Sequence, residues 1–307
     1  MTAQLWFFII ISLVIFNYLF TNLLDYMNHR NWKDEIPNEL KDFYDKEKYK
    51  KAKNYALSKN KISLFSSSLS FSLVISLIVF NGYGIIDQFV SFNLSKSFES
   101  LQISSNFIQS GVFFLILFIL NSIISIPFSY YKTFVIEEKF GFNKTTKLTF
   151  FIDIIKSTLL SFFIGGILLF LALYLYENLN DGFWLWLWIG LSLLMILINM
   201  FYADLIVPIF NKLTPLDDGE LRNKIEKYSK DVGYLLKNIY VIDGSKRSTK
   251  ANAFFSGLGP RKTIALYDTL IEKHTENELV AVLAHEVGHF KNCLLYTSPS
   301  PRDAQLS

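Results

Sequence analysis

The chain has 307 residues, of which 51% are apolar, with 30 phenylalanines and a net charge of only +3. Composition of this kind indicates a membrane protein rather than a pair of soluble domains, and the small positive excess excludes a nucleic-acid partner: topology and anionic lipid account for the basic loops. A lone cysteine, Cys293, excludes a disulfide framework or a paired-cysteine metal site and suits a catalytic part in the cytoplasm.

In chain order, charge-free apolar runs cover Gln4 to Leu24, Ile62 to Ile86, Phe107 to Tyr131, Ser157 to Tyr176 and Gly182 to Ala203. Each is about 20 residues or longer, enough to cross a hydrocarbon core of roughly 30 Å, and five spanning helices are predicted. The first run has no Lys or Arg before it and no small-residue cleavage site, so it reads as a retained anchor. Ten Lys and Arg lie between Asp25 and Lys61 and five between Lys132 and Lys156, against only Lys96 between Asp87 and Asn106 and none between Glu177 and Asp181. The positive-inside rule then puts the N-terminus outside or in a lumen and everything after Asp204 in the cytoplasm.

Within these elements, Glu35 to Lys61 reads equally as an interfacial helix or a solvated charged one. The serines at 66, 67, 68, 70 and 72 suit helix packing. Pro127 predicts a kink in the third span, and Gly165-Gly166 a close helix approach in the fourth. Asn121 is expected to face the bundle or a cavity, and Trp184, Trp186 and Trp188 to anchor the fifth span at an interface. Beyond Asp204 the chain turns polar. Leu216 to Asp231 reads as an amphipathic helix, Ile239 to Ile242 as a strand, and Asn252 to Phe255 with Thr263 to Tyr267 as a strand pair joined through Gly257 to Pro260.

A capping box at Thr275 and Glu278 opens a helix that carries His285-Glu286-Val287-Gly288-His289. Leu279, Val282, Leu283 and Phe290 form its apolar stripe, while Ala281 and Gly288 leave the histidine side uncrowded. Histidines four residues apart share a helical face and can ligate one Zn²⁺. Glu286, about 100° further round, is placed to take a proton from water at the metal. This pattern points to hydrolysis, and a strand pair just ahead of such a helix suits capture of a peptide backbone by β-augmentation.

Several separated segments resemble the type-I CAAX prenyl proteases, which are integral-membrane zinc metallopeptidases. They are Glu47 to Ala52, Glu137 to Asn143, Phe210 to Leu216, Asp243 to Ser248, Asn252 to Phe254, Asp268 to Leu270 and the zinc motif, in the family's order. The resemblance implies His285 and His289 as zinc ligands, Glu286 as general base and acid, and Asn252, Ala253 and Phe254 as the substrate-binding strand. It also implies peptide or protein substrates, prenylated CaaX termini among them. The family's third ligand is a glutamate on a later helix, and no glutamate follows Asn292 here. Residues 293–307 resemble a translated sequencing adapter and are read as a non-native tail, so the chain as given is expected to be inactive.

The expected fold is therefore mainly α: a membrane helical bundle over residues 1–203, then a partial cytoplasmic zincin-like α+β metallopeptidase domain over 204–292. His274 and His29 are expected to be ordinary loop histidines, and Asp204 a boundary residue. Glu137 and Glu138 are expected to be solvated, with the resemblance hinting at coupling to the catalytic part. Two other functions compete with CaaX proteolysis: quality control of membrane proteins, and a catalytically silent membrane scaffold.

Overall fold

The computed structural model describes residues 2–30, 32, 35–36, 41, 45–94, 105–179, 182–234, 236–257 and 262–291. The predicted strand connection at 258–260 and the tail after Lys291 lie outside them. Among the described residues five helices are long and apolar enough to cross a membrane: Gln4–Arg30, Lys46–Val79, Phe107–Glu137, Lys147–Asn178 and Phe183–Phe210. The chain divides into two compact units, Met1–Gly141 and Phe142–Ser307.

In the first unit, α1 (Ala3–Arg30) packs on α2 (Lys46–Val79). The Tyr18 hydroxyl is 2.7 Å from that of Ser68, and its ring stacks on Phe71 at 4.1 Å, so the serine-rich face does meet a neighbouring helix. Asp45 caps α2 by accepting the Glu47 N–H at 3.1 Å. At 34 residues, α2 is about 50 Å long, more than the hydrocarbon core requires, and its charged first half continues directly into the span.

The predicted run Ile62 to Ile86 is not one helix. It stops at Phe80, Asn81 adopts a left-handed φ of 54°, and α3 (Gly82–Leu94) begins. Asparagine tolerates this conformation. Position 82 admits only glycine without rearrangement, since a Cβ there would lie 2.6 Å from Leu77 Cδ2. Helix α3 packs on α4 (Ser105–Tyr131), with Gln109 donating to Asp87 at 3.1 Å. Pro127, inside α4, cannot donate to the carbonyl four residues back, and the helix widens into a π-turn at Lys132–Glu137.

In the second unit, Thr146 caps α5 (Lys147–Asn178) by accepting the Thr149 N–H at 3.1 Å. The close approach of α5 to α6 (Phe183–Phe201) differs from the expectation. A Cβ at Gly165 or Gly166 would meet nothing within 4 Å, whereas one at Gly190 would lie 2.9 Å from Leu171 Cδ2. The small residue that admits the neighbour therefore sits on α6. The three tryptophans of α6 are exposed, as an interfacial anchor requires, and Asn121 is exposed rather than turned into the described bundle.

A π-turn at Tyr202–Ile206 leads through the short α7 (Val207–Phe210) into a four-stranded mixed sheet of order β1-β2-β4-β3. Its strands are β1 (Leu213–Pro215), β2 (Asn238–Ile242), β3 (Ala253–Ser256) and β4 (Thr263–Tyr267). The central pair β2 and β4 is parallel and both outer pairs are antiparallel. Helix α8 (Glu220–Asp231) starts four residues later than predicted, because Leu216 extends the sheet: its N–H donates to the Ile239 carbonyl at 2.9 Å and its side chain is buried. Ile225, Tyr234, Ile264, Leu266 and Leu270 form the core with α8 and α10 (Glu276–Lys291), and Val207, Ile242 and Ala265 form a smaller cluster with Phe254.

Candidate metal centre

Helix α10 follows the sheet after only one short element, α9 (Asp268–Lys273). Its start shows one arm of the predicted capping box, the Glu278 carboxylate reaching back to the N-cap. The Thr275 N–H donates to the Glu278 carboxylate at 2.8 Å and its hydroxyl does so at 2.9 Å. These bonds, the backbone one first, hold the Glu278 carboxyl below its ordinary range. Leu279, Leu283 and Val287, at i, i+4 and i+8, are each only 2% exposed against the core. Val287 belongs to this stripe although it lies inside the metal motif, while Val282 is only half-buried.

At 100° per residue, positions 285 and 289 lie about 140° round the helix from the centre of the buried stripe. Packing of one face thus presents the histidine positions on another. His285 is half-buried, and a Cβ at Gly288 would meet nothing within 4 Å, so this side is uncrowded. The side chains of Glu286, His289 and Phe290 lie outside the described part. Two imidazole-bearing positions one turn apart match the donor set and spacing that zinc takes from a helix, and make up two of the three protein ligands of a catalytic site. His274 Nδ1 lies 3.1 Å from the Leu270 carbonyl at the end of α9, an ordinary local contact.

The predicted substrate strand is an edge strand: β3 ends the sheet order. The Tyr267 N–H donates to the Asn252 carbonyl at 3.0 Å, and Ala253 faces Leu266. In an antiparallel ladder, hydrogen-bonded and non-hydrogen-bonded pairs alternate, so Ala253 and Phe255 turn their main-chain groups to the outer edge. The Asn252 side chain already occupies the first of these, its Oδ1 accepting the Ala253 N–H at 2.9 Å. The strand is tied to the end of α6: Ser256 Oγ donates to the Asn199 carbonyl at 3.2 Å and accepts the Ala203 N–H at 3.3 Å, and Tyr202 meets the Phe254 ring edge-on at 5.7 Å.

Segments far apart in sequence converge on the residues just ahead of this strand in the chain. Asn143 pairs with Ser248 in an isolated bridge, the Lys144 N–H donates to the Arg247 carbonyl at 3.0 Å, and the Thr249 N–H donates to Phe142 at 3.1 Å. The Arg247 guanidinium grips Asp153 of α5 through two bonds, of 2.7 and 2.9 Å, and donates to the Phe210 carbonyl at 2.6 Å. The Asp153 bonds raise the Arg247 pKa above its ordinary value. Asp268 accepts the Ser245 N–H at 2.9 Å, and Thr269 donates to the Lys250 carbonyl at 2.8 Å. Asp153 is absent from the residues expected at the site. Its signal is a single carboxylate set among apolar residues at the edge of a span. In the first unit, Glu137 is not merely solvated, since the Tyr55 hydroxyl donates to it at 2.5 Å.

Comparison with known proteins gives the same reading. Residues 25–212 match the family model "CAAX prenyl protease N-terminal, five membrane helices", and residues 215–295 match "Peptidase family M48". CAAX prenyl protease 1 of Saccharomyces cerevisiae is 36% identical over 292 residues, covering 93% of this chain and 64% of that protein. The CAAX prenyl protease 1 homolog of Arabidopsis thaliana is 34% identical over 285 residues, covering 92% of this chain and 66% of the relative. The chain therefore spans slightly less than two thirds of the length of both relatives. The crystal structure of S. mikatae Ste24p superposes with a TM-score of 0.83 at 35% identity, over 94% of this chain and 68% of that one. Two family models in tandem, close relatives and a shared fold agree: the chain is a multi-pass integral membrane protein of peptidase family M48, with the five-helix CAAX prenyl protease N-terminal domain ahead of its peptidase segment.

Proposed function

We propose that the protein is a membrane-embedded zinc metalloendopeptidase that cleaves C-terminal, CaaX-type prenylated peptides. The observation that carries this reading is a capped helix with His285 and His289 one turn apart, packed so that its core stripe lies on another face, in a domain whose sheet ends in the edge strand β3. Peptidase family M48 is a metallopeptidase family, which implies a metal, and the paired imidazoles fit zinc. The relatives are CAAX prenyl proteases, and the extension of that activity to this chain rests on their similarity to it.

In this reading His285 and His289 hold the metal, which when bound supplies Lewis acidity toward water and the scissile carbonyl. Glu286 accepts the proton of the attacking water and passes it to the leaving amine. Of the proposed substrate strand Asn252, Ala253 and Phe254, it is Ala253, with Phe255 beyond it, whose outward groups pair with the substrate backbone, while the Phe254 main chain is turned to β4, and Asn252 yields the Ala253 N–H as the substrate carbonyl arrives. Two imidazoles leave a catalytic zinc in need of a third protein ligand, and the peptidase domain begins near Asp204, ahead of the stretch 215–295 that matches the family. The basic loops and the peptidase segment face the cytoplasm, with the N-terminus on the opposite side, an assignment supported by the loop charges.

Metal binding tests the ligand set. The 307-residue chain is expected to bind zinc weakly and release it to mild chelation, and the protein carried on to the length of its relatives to keep it through dialysis. Stoichiometric zinc surviving dialysis in the 307-residue chain would show a third ligand already present, and replacement of His274 is the first test of which.

A further inference from the structure

A cavity of about 290 Å³ opens in the first unit between α2 and the π-turn after α4, and nothing in the proposed peptidase chemistry uses it. Lys61, Lys139 and Tyr131 supply donors on its wall, while Ile62, Val135 and Ile136 supply apolar surface. Both lysines are exposed. Neither Glu137 nor Glu138 lines the cavity, and the Glu137 carboxylate accepts the Tyr55 hydroxyl.

Its depth in the membrane follows from the sequence. Lys61 is the last charge of α2, and residues 62–79 carry none. Helix α4 carries no charge at all, and Lys132 is the first charged residue after it. The cavity thus spans the boundary at which both helices change from apolar to charged, the level of lipid headgroups. One turn further into the apolar stretch of each helix, Phe65 and Phe128 meet at 5.9 Å between ring centroids, with Phe65 64% exposed. A phosphate with an attached hydrocarbon chain is complementary to both halves: ammonium and phenol groups for the anion, and the apolar wall of Ile62, Val135 and Ile136 for the start of the chain.

We propose that this cavity seats an anionic phospholipid, its phosphate between Lys61 and Lys139 and the start of one acyl chain against Ile62 and Val135. The apolar wall separates this occupant from free inorganic phosphate, which has nothing to place there.

Native mass spectrometry of the 307-residue chain, purified in neutral detergent and titrated with phosphatidylglycerol or phosphatidylcholine, tests the proposal. Phosphatidylglycerol is expected to be retained at one site and phosphatidylcholine not. The double variant Lys61→Gln, Lys139→Gln should weaken retention at least about tenfold, given roughly 1 kcal/mol for each basic residue near an anionic headgroup. The same charge change at Lys46 and Lys48, exposed on α2 outside the cavity, should leave it unchanged. Val135→Trp, which fills the apolar wall without altering charge, should also abolish retention, and circular dichroism should show unchanged helix content in every variant. Equal loss in the Lys46 and Lys48 variant would overturn the site in favour of a diffuse field. Unchanged binding in the cavity variants, equal retention of phosphatidylcholine, or displacement of the lipid by millimolar inorganic phosphate would each overturn it as well.

Discussion

Arg247 is where the most distant segments of the peptidase unit meet. Its side chain is 21% exposed and that of Asp153 23%, so the pair is shielded and bidentate rather than a surface ion pair. Asp153→Asn leaves the guanidinium without its counter-charge and should cost about 1–3 kcal/mol, read as a lowered thermal midpoint. Arg247→Lys should not restore wild-type stability, because a lysine cannot form the planar two-bond pairing. A midpoint unchanged in both variants would show the pair to be incidental. Arg247 stands in a segment legible as significant from its neighbours, but the role of Asp153 depends on tertiary proximity across 94 residues, which no local pattern encodes. Glu278 belongs to the same scale. Its folded pKa is lowered, so its contribution is complete above the ordinary carboxylate value of about 4.3 and is lost as pH falls through the folded value. The amide protection factors of the first turn of α10, corrected for the intrinsic pH dependence of exchange, should fall on acidification in the wild type and show no such step in Glu278→Gln.

Among elements, β3 carries the clearest expectation. Proline is tolerated on an edge strand where its missing N–H faces outward. Ala253→Pro should therefore leave the sheet folded yet abolish peptide binding, whereas Phe254→Pro removes a ladder bond to β4 and should destabilise the domain. Equal binding by Ala253→Pro and wild type would rule out pairing at that N–H. Three of the strands, β2, β3 and β4, and the capped helix were legible because alternation, the Gly-rich connection and the Thr275–Glu278 box are local signals; the three-residue β1 is too short to carry one. The parallel pairing of β2 with β4 was not, since register between strands separated by a hairpin partner is set by packing on α8 and α10. The break at Asn81 was hidden for a related reason: hydropathy continues through it, and a single left-handed residue suffices to turn the chain.

At the level of the whole molecule the five spans were read from length and absence of charge alone, which suffices because lipid imposes both requirements. Orientation is a separate matter, resting on ten and five basic residues in two loops against one and none in the others. With Cys293 replaced by serine, a cysteine introduced at Lys48 should be protected from a membrane-impermeant thiol reagent in intact cells and one at Glu177 labelled; the opposite pattern would invert the topology and move the metal motif to the other side. Whether the molecule is a peptidase of the proposed kind is tested most directly by Glu286→Gln in the protein carried on to the length of its relatives, with zinc content and cleavage of a prenylated CaaX peptide measured on one preparation. Wild-type zinc and a loss of cleavage of at least about a hundredfold are expected, because an amide of the same shape cannot accept the water's proton. Full zinc with near wild-type cleavage would contradict this and place the hydrolytic base elsewhere.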